Sequence, residues 1–295
     1  MVGAGNAKAY VFVKPLGRWK NTTESAQLTD GMGGDGFGEL VAVNKGTIVV
    51  GAPLATIGGN ESQGAAYVFV EPATGWATTS VFDAQLTASD GTFQDVFGIA
   101  VAVSGDTVAV GAPFHQGQTG PGKVYVFTMP ATGWANATET AKLTRANPGP
   151  YDEFGLSLAI YRNTIVVGAP QAVGADNGQG TVDVFMKPST GWNDMTETAE
   201  LVAPVFIQHF GFSVAISGPR VVVGTFSPDK EIFVYAKPIG KWKSTSQPEA
   251  QLTAGSGVSF FGFSVAMTST TIVAGAPYQS VGGHVDQGAA YIFTQ

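Results

Sequence analysis

The chain has 295 residues, enough for one large domain or two ordinary ones, and 44% of them are hydrophobic, which excludes a disordered chain. A formal net charge of −7 with no Lys/Arg cluster excludes a nucleic-acid partner, and the lack of cysteine excludes disulfides and thiolate metal sites. No apolar run approaches the roughly 20 residues of a membrane helix, so no membrane insertion is expected.

The first residues, Val2-Gly3-Ala4 and then Tyr10-Val11-Phe12-Val13, read as the middle of a repeating unit. They lack the basic-then-apolar pattern of a secretory leader, and an excised domain or mature fragment is expected. A turn ending in Trp19 and a short strand, Gln27-Leu28-Thr29, follow. Five copies of one unit come next, each opened by a Phe-Gly pair: Phe37-Gly38, Phe97-Gly98, Phe154-Gly155, Phe210-Gly211 and Phe261-Gly262. After each pair a short strand and a minimal turn, such as Ser104-Gly105-Asp106, lead to an apolar strand such as Thr164-Ile165-Val166-Val167. That strand ends in Gly-Ala-Pro at 51–53, 111–113, 168–170 and 275–277, and has drifted to Gly224-Thr225-Phe226 in the fourth copy. An aromatic strand follows (Tyr67-Val68-Phe69 is one), then a turn ending in Trp76, Trp134, Trp192 or Trp242, then a fourth strand such as Gln85-Leu86-Thr87.

Nothing has helical periodicity, so the fold class is all-β. Four antiparallel strands per unit, apolar on both faces, find cover only against neighbouring units, which is the logic of a β-propeller. The reading is a single propeller domain over 1–295. Its repeats run at about 30–87, 88–144, 145–202, 203–253 and 254–295, and it closes with an N-terminal strand within 19–29. Five blades are expected, with a truncated six- or seven-bladed parent as the alternative. Tyr10–Val13 is surplus to the five-bladed scheme.

The Phe-Gly and Gly-Ala-Pro residues resemble the FG-GAP repeats of integrin α-subunit propellers. With the Pro-x-Thr-Gly-Trp turn and the Tyr-Val-Phe strand they resemble the bacterial and lower-eukaryote variety more closely. The resemblance covers essentially the whole chain. It implies an extracellular or cell-surface propeller used for adhesion, ligand binding or scaffolding, and no particular ligand. Many family members carry a calcium loop of alternating carboxylates between the first two strands. Here that connection is only a turn such as Asn44-Lys45-Gly46 or Arg162-Asn163, too short to wrap an ion, so no cofactor and no metal are expected.

Gly-Phe-Ser-Val-Ala at 211–215 and 262–266 superficially matches a nucleophile elbow, but no helix follows, and no catalytic residue is assigned. The recurring Trp residues read as packing against the blade edge. The acid pairs Asp30/Asp35 and Asp90/Asp95, with Asp152/Glu153, read as caps of turns. Sequons stand at Asn21, Asn60 and Asn136. Strand alternation places the long, divergent loops on one face, those joining strand 4 to strand 1 and strand 2 to strand 3, so a ligand is expected there. Candidate ligand-binding residues are Asn60, His115, Tyr151, Asp176, Asn177, Tyr278, His284 and Asp286. The expected function is a non-catalytic module recognising a protein or glycan. The alternatives are a structural module that self-associates through the surplus N-terminal strand and a glycosidase-type enzyme.

Overall fold

The computed structural model describes residues 2–4, 7–115, 119–172, 178–227, 231–255, 258 and 260–294. Its secondary structure is all strand, as period-2 Val, Ile, Thr and aromatic runs between glycine turns dictate. Six antiparallel sheets follow one another along the chain. The first holds β1 (Val2–Ala4), β2 (Lys8–Val11) and β3 (Ala26–Leu28). The second holds β4 (Val41–Asn44), β5 (Thr47–Ala52), β6 (Ala65–Val70) and β7 (Ala84–Leu86). The third is β8 (Ala100–Ser104), β9 (Thr107–Ala112), β10 (Lys123–Thr128) and β11 (Ala141–Thr144). The fourth runs through β12 (Ser157–Tyr161), β13 (Thr164–Ala169) and β14 (Thr181–Met186). Its turn carries β15 (Met195–Thr196), which pairs in parallel with β11, and β16 (Ala199–Leu201) completes the sheet. The fifth is β17 (Phe210–Ser217), β18 (Arg220–Thr225), β19 (Glu231–Ala236) and β20 (Ala250–Thr253). The sixth is β21 (Ser264–Met267), β22 (Thr271–Ala276) and β23 (Ala289–Thr294). These are the blades of a β-propeller.

The core is a series of inter-sheet layers. Five apolar clusters each join two consecutive sheets; one of them sets Val182, Val184 and Leu201 against Val221, Val223 and Phe233. Phe37, Phe97, Phe154, Phe210 and Phe261 are fully buried, and each meets the aromatic strand of its own sheet at a tilted or edge-on angle. Sheets approach so closely that a Cβ on Gly3, Gly51, Gly111, Gly168 or Gly224 would overlap the carbonyl oxygen of the next Phe-Gly glycine. That close approach is why glycine precedes Ala-Pro on the second strand.

Two expectations are corrected here. The strand within 19–29 does not complete the last sheet: β3 pairs antiparallel with β2, Tyr10 opposite Gln27. Joining neighbours through the short 12–25 connection costs less closure entropy than reaching to the other end of the molecule. It also buries Ala9, Val11, Ala26 and Leu28 against the second sheet. The surplus strand is therefore the centre of a sixth sheet, bonded to β1 on one side and β3 on the other. A strand paired on both sides offers no edge for self-association.

Candidate functional site

The loops joining strand 4 to strand 1 and strand 2 to strand 3 interlock on one face. The Val96 and Phe97 N–H groups donate to Ser62 O and Gln63 O, and the His209 and Phe210 N–H groups donate to Gly178 O and Gln179 O. The residue before every Phe-Gly adopts the left-handed region: Gly36 (φ 76°), Val96 (57°), Glu153 (54°), His209 (54°) and Phe260 (53°). That backbone costs a non-glycine residue on the order of 1–3 kcal/mol, here imposed by the turn that drives Phe inward. It sets one side chain per sheet at an equivalent position on the loop face.

Around His209 and Phe260 these positions build an aromatic platform. Phe226 stacks on Phe212 at 5.1 Å between centroids and on Phe260 at 5.0 Å, with interplanar angles of 27° and 28°. Phe263 meets Phe212 at 5.1 Å, and Tyr278 stands edge-on to Phe260 at 5.1 Å. All four Phe rings are half-buried and Tyr278 is 46% exposed, so the cluster is an outward surface rather than core. The His209 ring lies 5.9 Å from Phe226, and its Nδ1 donates to Phe226 O at 2.9 Å, which leaves Nε2 for another partner. Burial pushes the Glu153 carboxyl above its usual range, with the neighbouring His209 pulling the other way. A flat apolar surface flanked by an imidazole and a carboxyl can take the C–H face of a sugar or an apolar side chain while bonding polar groups at its edge.

The expected site residues are divided by the structure. Tyr278 belongs to the platform, and Tyr151 is 57% exposed on the same loop face. His284 and Asp286 are exposed in the last loop, where His284 and Val281 bond each other's backbone. Asp176 and Asn177 lie outside the described residues. The Asn60 side-chain amide is committed to Gln63 Oε1 and Gly91 O. His115 is corrected: it is 3% exposed, with Nδ1 2.8 Å from Asp95 and the Tyr125 hydroxyl at 3.3 Å, so it braces the fold and offers nothing to a ligand.

Acidic residues before Phe-Gly are caps, as read: Asp35 accepts from Phe37 N–H, Asp95 from Thr92 N–H, and Asp152 from Gly149 N–H. Asp90 instead bonds Lys123, Lys142 and the Tyr125 hydroxyl, which hold its carboxyl well below the usual range against the opposing effect of burial. Among the described residues no three His, Cys, Asp or Glu side chains converge to hold a metal ion. The recurring Trp residues pack between sheets, Trp192 and Trp242 being buried, except that Trp19 is 56% exposed.

None of Phe212, Phe226, Phe260, Phe263, His209 and Glu153 is among the ligand-binding residues expected from sequence, where Glu153 reads as a turn cap and Phe226 as the drift of a motif. The available signal was the drift at 224–226, where Phe226 replaces the proline of Gly-Ala-Pro, beside aromatics flanking the last two Phe-Gly pairs.

A family model described as FG-GAP repeat matches residues 23–69, 81–127, 137–185 and 247–293. No curated protein matches the sequence. The stretch left between the third and fourth matches contains His209, Phe212 and Phe226, so the platform centres on the repeat that departs most from its siblings.

Proposed function

Since the chain belongs to the FG-GAP repeat family, whose propellers serve ligand binding, we propose that it is a non-catalytic extracellular or cell-surface module that captures a protein or glycan on its loop face. One observation carries the reading: the half-exposed stack of Phe212, Phe226 and Phe260, extended by Phe263 and Tyr278, on the face where the divergent loops gather. Fully buried packing needs no such outward rings, and loops on a rigid scaffold are where binding residues concentrate. Glu153 and His209 supply polar selectivity at the platform's edge, and Tyr151, His284 and Asp286 are the exposed outlying contacts. Among the described residues no helix is long and apolar enough to cross a membrane.

The test is a glycan array together with a panel of cell-surface proteins, followed by titration of any hit. Phe226→Ala combined with Tyr278→Ala should weaken binding at least about tenfold, in the range expected for aromatic hot spots, with the strand signature in circular dichroism retained. Full affinity in that double variant overturns the assignment.

A further inference from the structure

In each antiparallel sheet the turn joining the third strand to the fourth lies on the face opposite the aromatic platform. In the second, third and fourth sheets that turn reads Pro-Ala-Thr-Gly-Trp at 72–76 and 130–134, and Pro-Ser-Thr-Gly-Trp at 188–192. There the N–H of Gly75, Gly133 and Gly191 donates to the carbonyl of Pro72, Pro130 and Pro188, and each glycine has a positive φ. The turns of the first and fifth sheets depart from this pattern in the same way. They read Lys14-Pro15-Leu16-Gly17-Arg18-Trp19-Lys20 and Lys237-Pro238-Ile239-Gly240-Lys241-Trp242-Lys243. The positive-φ glycine stands one residue earlier, at Gly17 (97°) and Gly240 (95°), which frees the position before Trp for a long cationic side chain.

The residue at the tip of these two turns is aliphatic and fully wetted, Leu16 at 104% and Ile239 at 105% exposure. Exposure there belongs to the turn itself. Ala73, Ala131 and Ser189 hold the same position in sheets packed on both sides, and all three are exposed. What sets the first and fifth turns apart is the side chain: small or polar in the other three, large and apolar here.

Each tip is flanked by three cations with no acid inside the turn, in a chain of net charge −7. Among the described residues none of these six cations takes part in an ion pair. Glu249, which follows the fifth turn, is held by Arg220 at 2.7 Å. Cations alone would suit any polyanion. A wetted Leu or Ile among them gains only where an apolar phase lies directly beneath negative charge, and that is the headgroup boundary of an anionic bilayer. Proline and the positive-φ glycine fix the tip beforehand, so little ordering opposes contact.

We infer that the face opposite the platform rests on an anionic lipid surface. Ile239 and Leu16 enter the acyl boundary, and the flanking lysines and arginine lie among the headgroup phosphates. The contact is peripheral, at headgroup depth, and spans nothing. It leaves the aromatic platform turned away from the bilayer.

Co-sedimentation of the full chain with vesicles tests this. Phosphatidylcholine and phosphatidylserine in equal parts should carry the protein down. Phosphatidylcholine alone should bind it at least about tenfold more weakly, and added salt should release it from the anionic vesicles. Lys241→Gln with Lys243→Gln should weaken binding about thirtyfold, and Ile239→Ser about tenfold. Neither should move the thermal midpoint, because all three side chains are exposed. Phe226→Ala with Tyr278→Ala should bind vesicles as wild type does. A wild type that stays in solution beside anionic vesicles overturns the inference. Undiminished binding by Ile239→Ser beside loss in the lysine variant marks a charge-only contact, as a sulfated glycan would make, and also overturns it. Loss of vesicle binding in the platform variant moves the contact to the loop face and overturns it equally.

Discussion

Two acids that precede Phe-Gly, half-buried Asp90 and buried Asp35, have opposite fates, and the difference lies in neighbouring cations. Asp90 is ion-paired with Lys123 and Lys142, whereas among the described residues no ion pair reaches Asp30 or Asp35. Burial, then the hydrogen bond and charge of Asp30, push the Asp35 carboxyl from 3.8 up to about 6. Between those values the folded chain keeps a proton that the unfolded chain has released, so stability falls as pH rises through that window. Asp35→Asn keeps the oxygen that accepts from Phe37 N–H and adds an N–H for Asp30. The variant should melt higher than wild type at pH 7, with the gain shrinking to nothing below pH 3.8; a pH series of thermal melts checks it. Arg145 is the converse case, since it alone meets Asp152 at 2.7 Å, Asp183 at 3.0 Å and Glu200 at 3.0 Å. Burial still pushes Asp183 up to about 7, so removing the guanidinium strands that carboxyl. Arg145→Met should cost about 3–5 kcal/mol in urea titrations at neutral pH, and less at pH 4, where Asp183 holds its proton.

At the scale of strands, what was legible in the sequence was whatever a side chain had to do in every copy. Phe-Gly, the small second-strand glycine and the turn Trp recur because each fills or vacates one fixed volume, and they marked the sheets from β4 onward in order, whereas β2 and β3, which no Phe-Gly precedes, were misassigned. The pairing of each Trp turn with the fourth strand of the preceding sheet, in which the Thr79 N–H donates to Gln27 O and the Thr29 N–H to Thr79 O, was not legible, because backbone groups do it and its side-chain oxygen varies among Thr78, Asn136, Asp194 and Ser244. The aromatic platform was hidden for another reason. Its members come from separate loops of two repeats, and Phe226 reads as the decay of a motif until Phe212 and Phe260 are seen against it. The glycine rule makes a sharp prediction. A Cβ at Gly168 meets the backbone carbonyl of Gly211 across the sheet interface, whereas at Gly275 it meets only the Ser264 side chain. Backbone cannot step aside as a hydroxyl can. Gly168→Ala should therefore cost at least about 3 kcal/mol and Gly275→Ala well under half of that, measured as shifts of denaturant midpoint.

Across the whole molecule, sheets that are apolar on both faces depend on their neighbours, so stability should follow how many each one has. Six sheets make five shared layers, and the middle sheets sit in two layers each. The sixth sits in one. Ile292 on β23 is 68% exposed, while Val68, Val126 and Val184 at the same repeat position are fully buried. Opening the sixth sheet disrupts a single layer, and opening the fourth disrupts two and breaks the parallel pairing of β15 with β11. Local opening energies spread in this way whenever cooperative units differ in buried contacts. Hydrogen exchange should show the β22 and β23 amides exchanging orders of magnitude faster than those of β13 and β14. Uniform protection across the six sheets would mean that the molecule opens as one unit and that the uncovered face of β21–β23 costs it nothing.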